Sequence, residues 1–210
     1  SKDEPTTTKR HETAKTERKP DRNNKTDGGR SRQQSTDAVE AYTKLSTTGY
    51  VLGCDGNVSV RVDDKHFLVT PSGVDIPDLD TSKIVLCNQT GIAEHSKFKP
   101  SSETELHTLI YQRRRDVGAM VHSHSIYACA LACCQIPLPP AHYAVCELIH
   151  DTSPRLPEPH EAAIQCSTYH TYGSWSLAVA GLAALGKNHA CFLANHGAVV
   201  VGHDLEEAMY

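Results

Sequence analysis

Three histidines carry the strongest chemical signal in this chain. His122 and His124 stand in Met120-Val121-His122-Ser123-His124-Ser125, and His196 stands in Ala194-Asn195-His196-Gly197. The first two lie two residues apart in the apolar, β-prone run 118–124, and in a strand that spacing turns both imidazoles to one face. His196 follows a second apolar run, 190–194, so a neighbouring strand can bring it alongside. Three neutral imidazoles with an open fourth position form the pattern of a catalytic zinc site rather than a structural one. The chain has 13 histidines, so chance pairs are common, and His66, His95, His107, His150, His160, His189 and His203 are given no role. Context singles out His122 and His124: a strand that passes at once into a helix-like segment, 126–134.

A second set of residues suits an anion. Asp55-Gly56-Asn57-Val58-Ser59 precedes a strand, and Thr70-Pro71-Ser72-Gly73 follows one. Small hydroxyl and amide side chains beside flexible backbone can donate several hydrogen bonds to a phosphate. Ser101 and Ser102 add hydroxyls at a helix start, where free N–H groups and the helix dipole favour an anion. Each motif alone has an ordinary structural explanation, and their value depends on meeting in space. Glu103, in the first turn of that helix, complements the dipole in the plain reading. Beside a three-histidine metal it becomes a ligand or a general base.

The elements that position these groups follow from periodicity. Residues 37–48 read as a helix with Ala38, Ala41, Tyr42 and Leu45 on one face and Gly49 beyond its end. Residues 58–62 and 66–70 flank Asp63-Asp64-Lys65 as a hairpin, and 84–87 is a short strand. Pro100-Ser101-Ser102-Glu103-Thr104-Glu105 opens a helix to about 114, with Ser102 and Glu105 at capping-box spacing. A strand over 118–124, helices over 126–134 and 175–185, strands over 190–194 and 199–201, and a last helix capped by Asp204 complete the pattern. A loop is expected over 151–160. Hairpin-connected strands with helices between them predict a layered α/β domain with a substantially antiparallel sheet.

Composition bounds the rest. Residues 1–36 contain no Val, Ile, Leu, Met, Phe, Trp, Tyr or Cys, and ten Lys/Arg face six Asp/Glu there. Such a segment cannot bury enough apolar surface to offset its ordering entropy, so a disordered basic tail is expected. Residues 37–210, with 11 Lys/Arg against 19 Asp/Glu, make one acidic domain of ordinary size. That balance argues against a specific nucleic-acid surface, despite Arg113-Arg114-Arg115. No apolar run approaches the ~20 residues of a membrane span. The eight cysteines, several of them inside apolar runs (Cys87, Cys129, Cys146, Cys191), read as buried free thiols of a cytoplasmic protein. The chain stops at Tyr210 inside a helical pattern, so a C-terminally truncated domain is expected.

Taken together and in order, Gly56-Asn57-Val58-Ser59, Thr70-Pro71-Ser72-Gly73, Pro100-Ser101-Ser102-Glu103, His122-Ser123-His124, His142-Tyr143 and His196-Gly197 resemble the class II aldolase/adducin family. The resemblance spans about residues 37–210. It implies a three-layer α/β/α domain around a mainly antiparallel central sheet, and a homotetramer with active sites between subunits. It further implies Zn2+ held by His122, His124 and His196, with Glu103 as the carboxylate at the metal. Asn57, Ser72, Gly73, Ser101 and Ser102 become the binders of the substrate phosphate. Tyr143 matches a tyrosine proton donor that reaches into the neighbouring subunit's site, and Tyr172 stands where the family's bacterial aldolase has a phenylalanine lining the aldehyde pocket.

The motif variants favour one branch. Ser-Ser-Glu stands where the family's pentose-phosphate epimerases have Ser-Ser-Asp, and Ala141-His142-Tyr143 replaces their Thr-His-Ala-Asp run. The loop over 147–160 is longer and richer in proline than in the bacterial aldolase, whose C-terminal tail has no counterpart here. The expectation is a zinc-dependent aldolase acting on a ketose 1-phosphate through dihydroxyacetone phosphate. The alternatives are a sugar-phosphate 4-epimerase or decarboxylase, or an adducin-like interaction module without metal.

Overall fold

The structure, a computed structural model, describes residues 24–150 and 163–210. The first helix, α1 (Asn24–Thr47), buries the predicted face of Ala38, Ala41, Tyr42 and Leu45. It begins at Asn24 rather than at residue 37, so part of the segment expected to be disordered is helical. Once the packed half has nucleated the helix, each further residue adds a backbone hydrogen bond without a new nucleation cost. Side-chain anchors also reach further back than the apolar pattern does. Gln34 donates from Nε2 to the Arg61 carbonyl at 2.9 Å, and Ser35 is buried. The rest of the predicted tail, 1–23, and the loop at 151–160 lie outside the described residues.

After α1 come β1 (Asn57–Arg61) and β2 (His66–Val69), the predicted hairpin, then a 3-10 turn (Ile76–Asp78) and β3 (Val85–Asn88). Helix α2 (Thr104–Arg113) leads to β4 (Ala119–Ser123), α3 (Ile126–Cys134) and α4 (Tyr143–Glu147). Helix α5 (Trp175–Leu185), β5 (Ala190–Leu193), β6 (Gly197–Gly202) and α6 (Leu205–Ala208) follow. As predicted, the Asp204 side chain caps α6, accepting from Glu207 N–H. The six strands form one sheet in the order β3-β2-β1-β4-β6-β5, and every neighbouring pair is antiparallel.

Strand alternation sends side chains to both faces, and helices cover each. On one face Phe67, Val69, Met120, Cys191, Leu193, Val199 and Val201 pack against Leu106, Leu109 and Ile110 of α2 and Leu177 and Leu185 of α5. On the other, Val58, Val60, Leu68, Ala119 and Val121 pack against α1 and Ala208 of α6, and α3 covers the β5–β6 edge through Ala132. The result is the expected three-layer α/β/α arrangement.

Three local expectations change. The Ser102–Glu105 capping box does not form: Glu103 holds the N-cap position, with no side-chain cap. Ser101 N–H is instead bound to the Thr70 carbonyl, and Pro100 bridges Pro71. That pairing holds the chain extended and delays the helix. All eight cysteines are free, as read, but only Cys87 and Cys191 are buried, and Cys146 is exposed. Of the basic triplet, Arg114 is engaged within the fold, while Arg113 and Arg115 are exposed. Arg114 binds Asp116 and the carbonyls of Gly186 and Asn188, and Arg115 lies 3.8 Å from Asp64. Among the described residues no helix is long and apolar enough to cross a membrane.

Candidate active site

Sheet register assembles the site. Asn57 on β1 lies directly opposite His122 on β4, so both project from the face that α2 covers. His124 stands just past the end of β4. His196 sits in the turn between β5 and β6, where Asn195 takes a positive φ of 57°, a conformation asparagine tolerates better than most residues. Gly56 enters β1 with φ 74°, and a Cβ there would lie 2.5 Å from the His122 carbonyl oxygen. Only glycine lets these strands approach so closely. The three imidazole rings stand 4.8–4.9 Å apart, centroid to centroid.

The donor set is what a metal requires. His122 Nδ1 lies 2.9 Å from the Ala198 carbonyl. A carbonyl only accepts, so Nδ1 carries hydrogen, the outer bond usual for a ligating imidazole. His122 Nε2 then faces His124 Nε2 at 3.0 Å and Glu103 Oε2 at 3.0 Å. Lone pairs this close need a cation among them. In the protein alone that cation is a proton on His122. Burial opposes it, but the charge of Glu103 and its hydrogen bond raise the imidazole's pKa. Burial would likewise raise Glu103; His122, His196 and the Asn57 amide outweigh it and hold the carboxyl well below its ordinary range. Burial and the neighbouring His122 charge lower His196 to about 4 and also lower His124. Two of the three imidazoles are therefore held towards their neutral form, the form a metal requires, and a metal placed here would displace the proton of the third.

Glu103 supplies an independent sign. It is 5% exposed, and its Oε1 has no hydrogen-bond partner, although His196 Nε2 stands 3.3 Å away. The distance suits an ion pair but the angles do not make a hydrogen bond. A buried acceptor left in this way costs about 1–3 kcal/mol, more when charged. A divalent ion beside it relieves that cost, so the four residues fit a metal.

A cavity of about 480 Å³ opens from this cluster. Its walls include all five residues read as phosphate binders, Asn57, Ser72, Gly73, Ser101 and Ser102, together with Glu103, His124 and His196. The two serine turns are held side by side by the Pro71–Pro100 bridge and by Ser72 N–H donating to the Lys99 carbonyl at 2.9 Å. The Ser101 hydroxyl accepts from Glu103 N–H, which leaves its own proton free to donate. The convergence that sequence could not show is thus present, with an anion-suited wall beside the metal-suited cluster.

Tyr143 is not brought to this cavity. It lies at the start of α4, 69% exposed, with its ring against His142. Tyr172 does line the cavity, beside Tyr169 and His170, neither of which the sequence singled out. His107 is the clearest omission. It carries no role in the sequence reading, yet it is fully buried and bonded through both ring nitrogens, to Ser59 and Asn57. A signal existed: Glu103, His107 and Tyr111 recur every four residues from the N-cap along α2 and face Asn57 and Ser59, which alternate on β1.

The Class II Aldolase and Adducin N-terminal domain family matches residues 36–210. The chain is 35% identical over 171 residues to the 5-methylthioribulose-1-phosphate/5-deoxyribulose-1-phosphate aldolase of Rhodospirillum rubrum, covering 81% of this chain and 72% of that one. It is 32% identical to the L-fuculose phosphate aldolase of Haemophilus influenzae, over 82% of this chain and 74% of the relative. A solved L-fuculose 1-phosphate aldolase superposes with a TM-score of 0.76 at 31% identity, over 84% of this chain and 78% of that one. The chain therefore belongs to the class II aldolase and adducin family and is a class II aldolase, a lyase close to the L-fuculose-1-phosphate aldolases.

Proposed function

We propose that this protein cleaves, and in reverse forms, a ketose 1-phosphate, with dihydroxyacetone phosphate and an aldehyde as the other side of the reaction. One observation carries the reading: a buried carboxylate with a free oxygen, Glu103, stands between a three-histidine cluster and a wall of phosphate-suited groups. His122, His124 and His196 would hold zinc, with Glu103 beside it. A divalent ion there supplies Lewis-acid stabilisation of the negative charge that develops on a substrate oxygen.

The chain's own groups do the rest. Asn57, Ser72, Gly73, Ser101 and Ser102 fix the phosphate, which places the three-carbon end of the substrate against Glu103. When the carbon–carbon bond breaks, that fragment keeps the electron pair and Glu103 delivers a proton to its carbon. In the forward condensation Glu103 removes the same proton. The aldehyde-derived oxygen exchanges its proton with Tyr143. That tyrosine lies outside its own chain's cavity, so the reading makes the enzyme a homotetramer in which a neighbour supplies it, working in the cytoplasm. Tyr169, His170 and Tyr172 line the cavity with polar aromatic groups suited to the aldehyde.

The test is release of dihydroxyacetone phosphate from L-fuculose 1-phosphate, 5-deoxyribulose 1-phosphate and 5-methylthioribulose 1-phosphate by the zinc-loaded protein. Turnover of one or more is expected, and failure on all three would defeat the reading. His124→Ala should leave purification with well under one zinc per chain. Equal zinc in variant and wild type would remove His124 from the ligand set.

A further inference from the structure

Behind Glu103 and Asn57 runs a buried chain of polar groups, Tyr111, Ser59 and His107, that belong neither to the phosphate-suited wall nor to the histidine cluster. Tyr111 OH lies 2.7 Å from Ser59 Oγ, and Ser59 Oγ lies 2.6 Å from His107 Nδ1. His107 Nε2 meets Asn57 Oδ1, and Asn57 Nδ2 donates to Glu103 Oε2 at 3.1 Å. Ser59 and His107 are 0% exposed. The direction of the chain follows from its last member. An ionised carboxylate only accepts, so the Asn57 amide must turn its NH2 to Glu103 and its oxygen to His107. His107 Nε2 must then carry hydrogen. Because a buried imidazole here stays neutral, with burial lowering its pKa to about 3, Nδ1 is bare and accepts from Ser59, which accepts from Tyr111. Every proton in the chain points towards Glu103.

We propose that His107 is a positioning residue whose Nε2–H tautomer, set by Ser59 and Tyr111, locks the Asn57 amide and so holds Glu103 with Oε2 occupied and Oε1 free to work. Asn57 also lines the cavity, so a loose amide would disturb base and phosphate together. The inference rests on Glu103 being the base of the proposed aldolase. Without His107 nothing distinguishes the two amide orientations from behind, and in the wrong one the amide oxygen faces the carboxylate, two acceptors in contact.

Two measurements decide it. The first reads the side-chain nitrogen shifts of His107 in the zinc-loaded protein near pH 7 by NMR, independently of any substrate. A neutral ring with hydrogen on Nε2 is expected; hydrogen on Nδ1, or an imidazolium, would overturn the proposal. The second follows exchange of the carbon-bound proton of dihydroxyacetone phosphate in D2O, a probe that needs no aldehyde. His107→Leu, which cannot donate, should slow exchange roughly 10–100-fold with zinc content kept, the usual effect of an outer-shell partner. His107→Gln, which retains an N–H donor, should recover most of the rate. In a Glu103→Gln background, His107→Leu should cost nothing further, because residues acting through one group are not additive. Full additivity, or a Gln variant as slow as Leu at an unchanged melting temperature, would show a structural role only. A wild type with no exchange would defeat the aldolase reading, and the tautomer would then decide the positioning claim alone.

Discussion

Gly197→Ala tests the geometry of the three-histidine cluster without replacing any of its members. Gly197 opens β6 next to His196, and a Cβ placed on it would sit 2.4 Å from the Ser123 carbonyl oxygen, 3.0 Å from His124 Cδ2 and 3.3 Å from His122 Cε1. Ordinary carbon–oxygen contacts lie at about 3.3–3.6 Å, so β4 and β6 must part locally by roughly 1 Å. The nearest atom is backbone, so no rotamer change relieves the clash. Overpacking of this kind costs roughly 1–3 kcal/mol, and the upper half of that range is expected here. For a domain of this size it corresponds to a melting temperature lower by roughly 4–12 °C. The same displacement moves His122 and His124 by more than the roughly 0.2 Å that ligand distances tolerate. Zinc affinity should therefore fall at least about tenfold, and the stabilisation that zinc confers should shrink with it. Melting curves of the metal-free and zinc-loaded forms, with a chelator competition titration, measure both effects. Gly29→Ala, where a new Cβ meets nothing within 4 Å, is the control. An alanine at 197 that leaves melting temperature and zinc affinity at wild-type values would refute the close approach of β4 and β6 on which the site depends.

Glu103→Gln keeps the shape and one acceptor oxygen but cannot take a proton, so turnover should fall by roughly 10²–10⁴; full turnover at full zinc occupancy would remove Glu103 from the chemistry. Acid should destabilise the protein partly through His107. Its folded pKa of about 3 lies below the unfolded value of 6.5, so the unfolded chain takes up the proton first. The contribution is complete above about pH 6.5 and is lost as pH falls towards 3, by about 1.4 kcal/mol per unit. Denaturant unfolding near pH 7 and pH 4.5 should show wild type losing about 2–3 kcal/mol more than His107→Gln, and equal losses would mean that His107 charges freely when folded. Gln34→Ala should cost about 0.5–1.5 kcal/mol by removing the bond to the Arg61 carbonyl, and an unchanged melting temperature would mean that α1 is anchored only from Ala38 onward.

What the residues announced by themselves was local. His122 and His124 share a strand face because side chains alternate with period two, and α3 and α5 appear at their predicted limits. The hairpin β1–β2 was legible from its short polar turn. Glu103 and the serines were legible as a helix start, though the capping box was not, since the Pro71–Pro100 bridge that displaces it joins turns far apart in sequence. The start of α1 depended on cooperativity and on Gln34 reaching Arg61, neither of which an apolar pattern records. Tertiary structure alone decided that Asn57 pairs with His122, and that His107, Ser59 and Tyr111 meet in one buried chain. The physical reason is that hydrogen-bond direction inside a protein is set by partners some fifty residues apart, here 48 between Ser59 and His107. A sequence shows such groups as unremarkable polar residues until strand register and helix packing remove the water that would otherwise satisfy them.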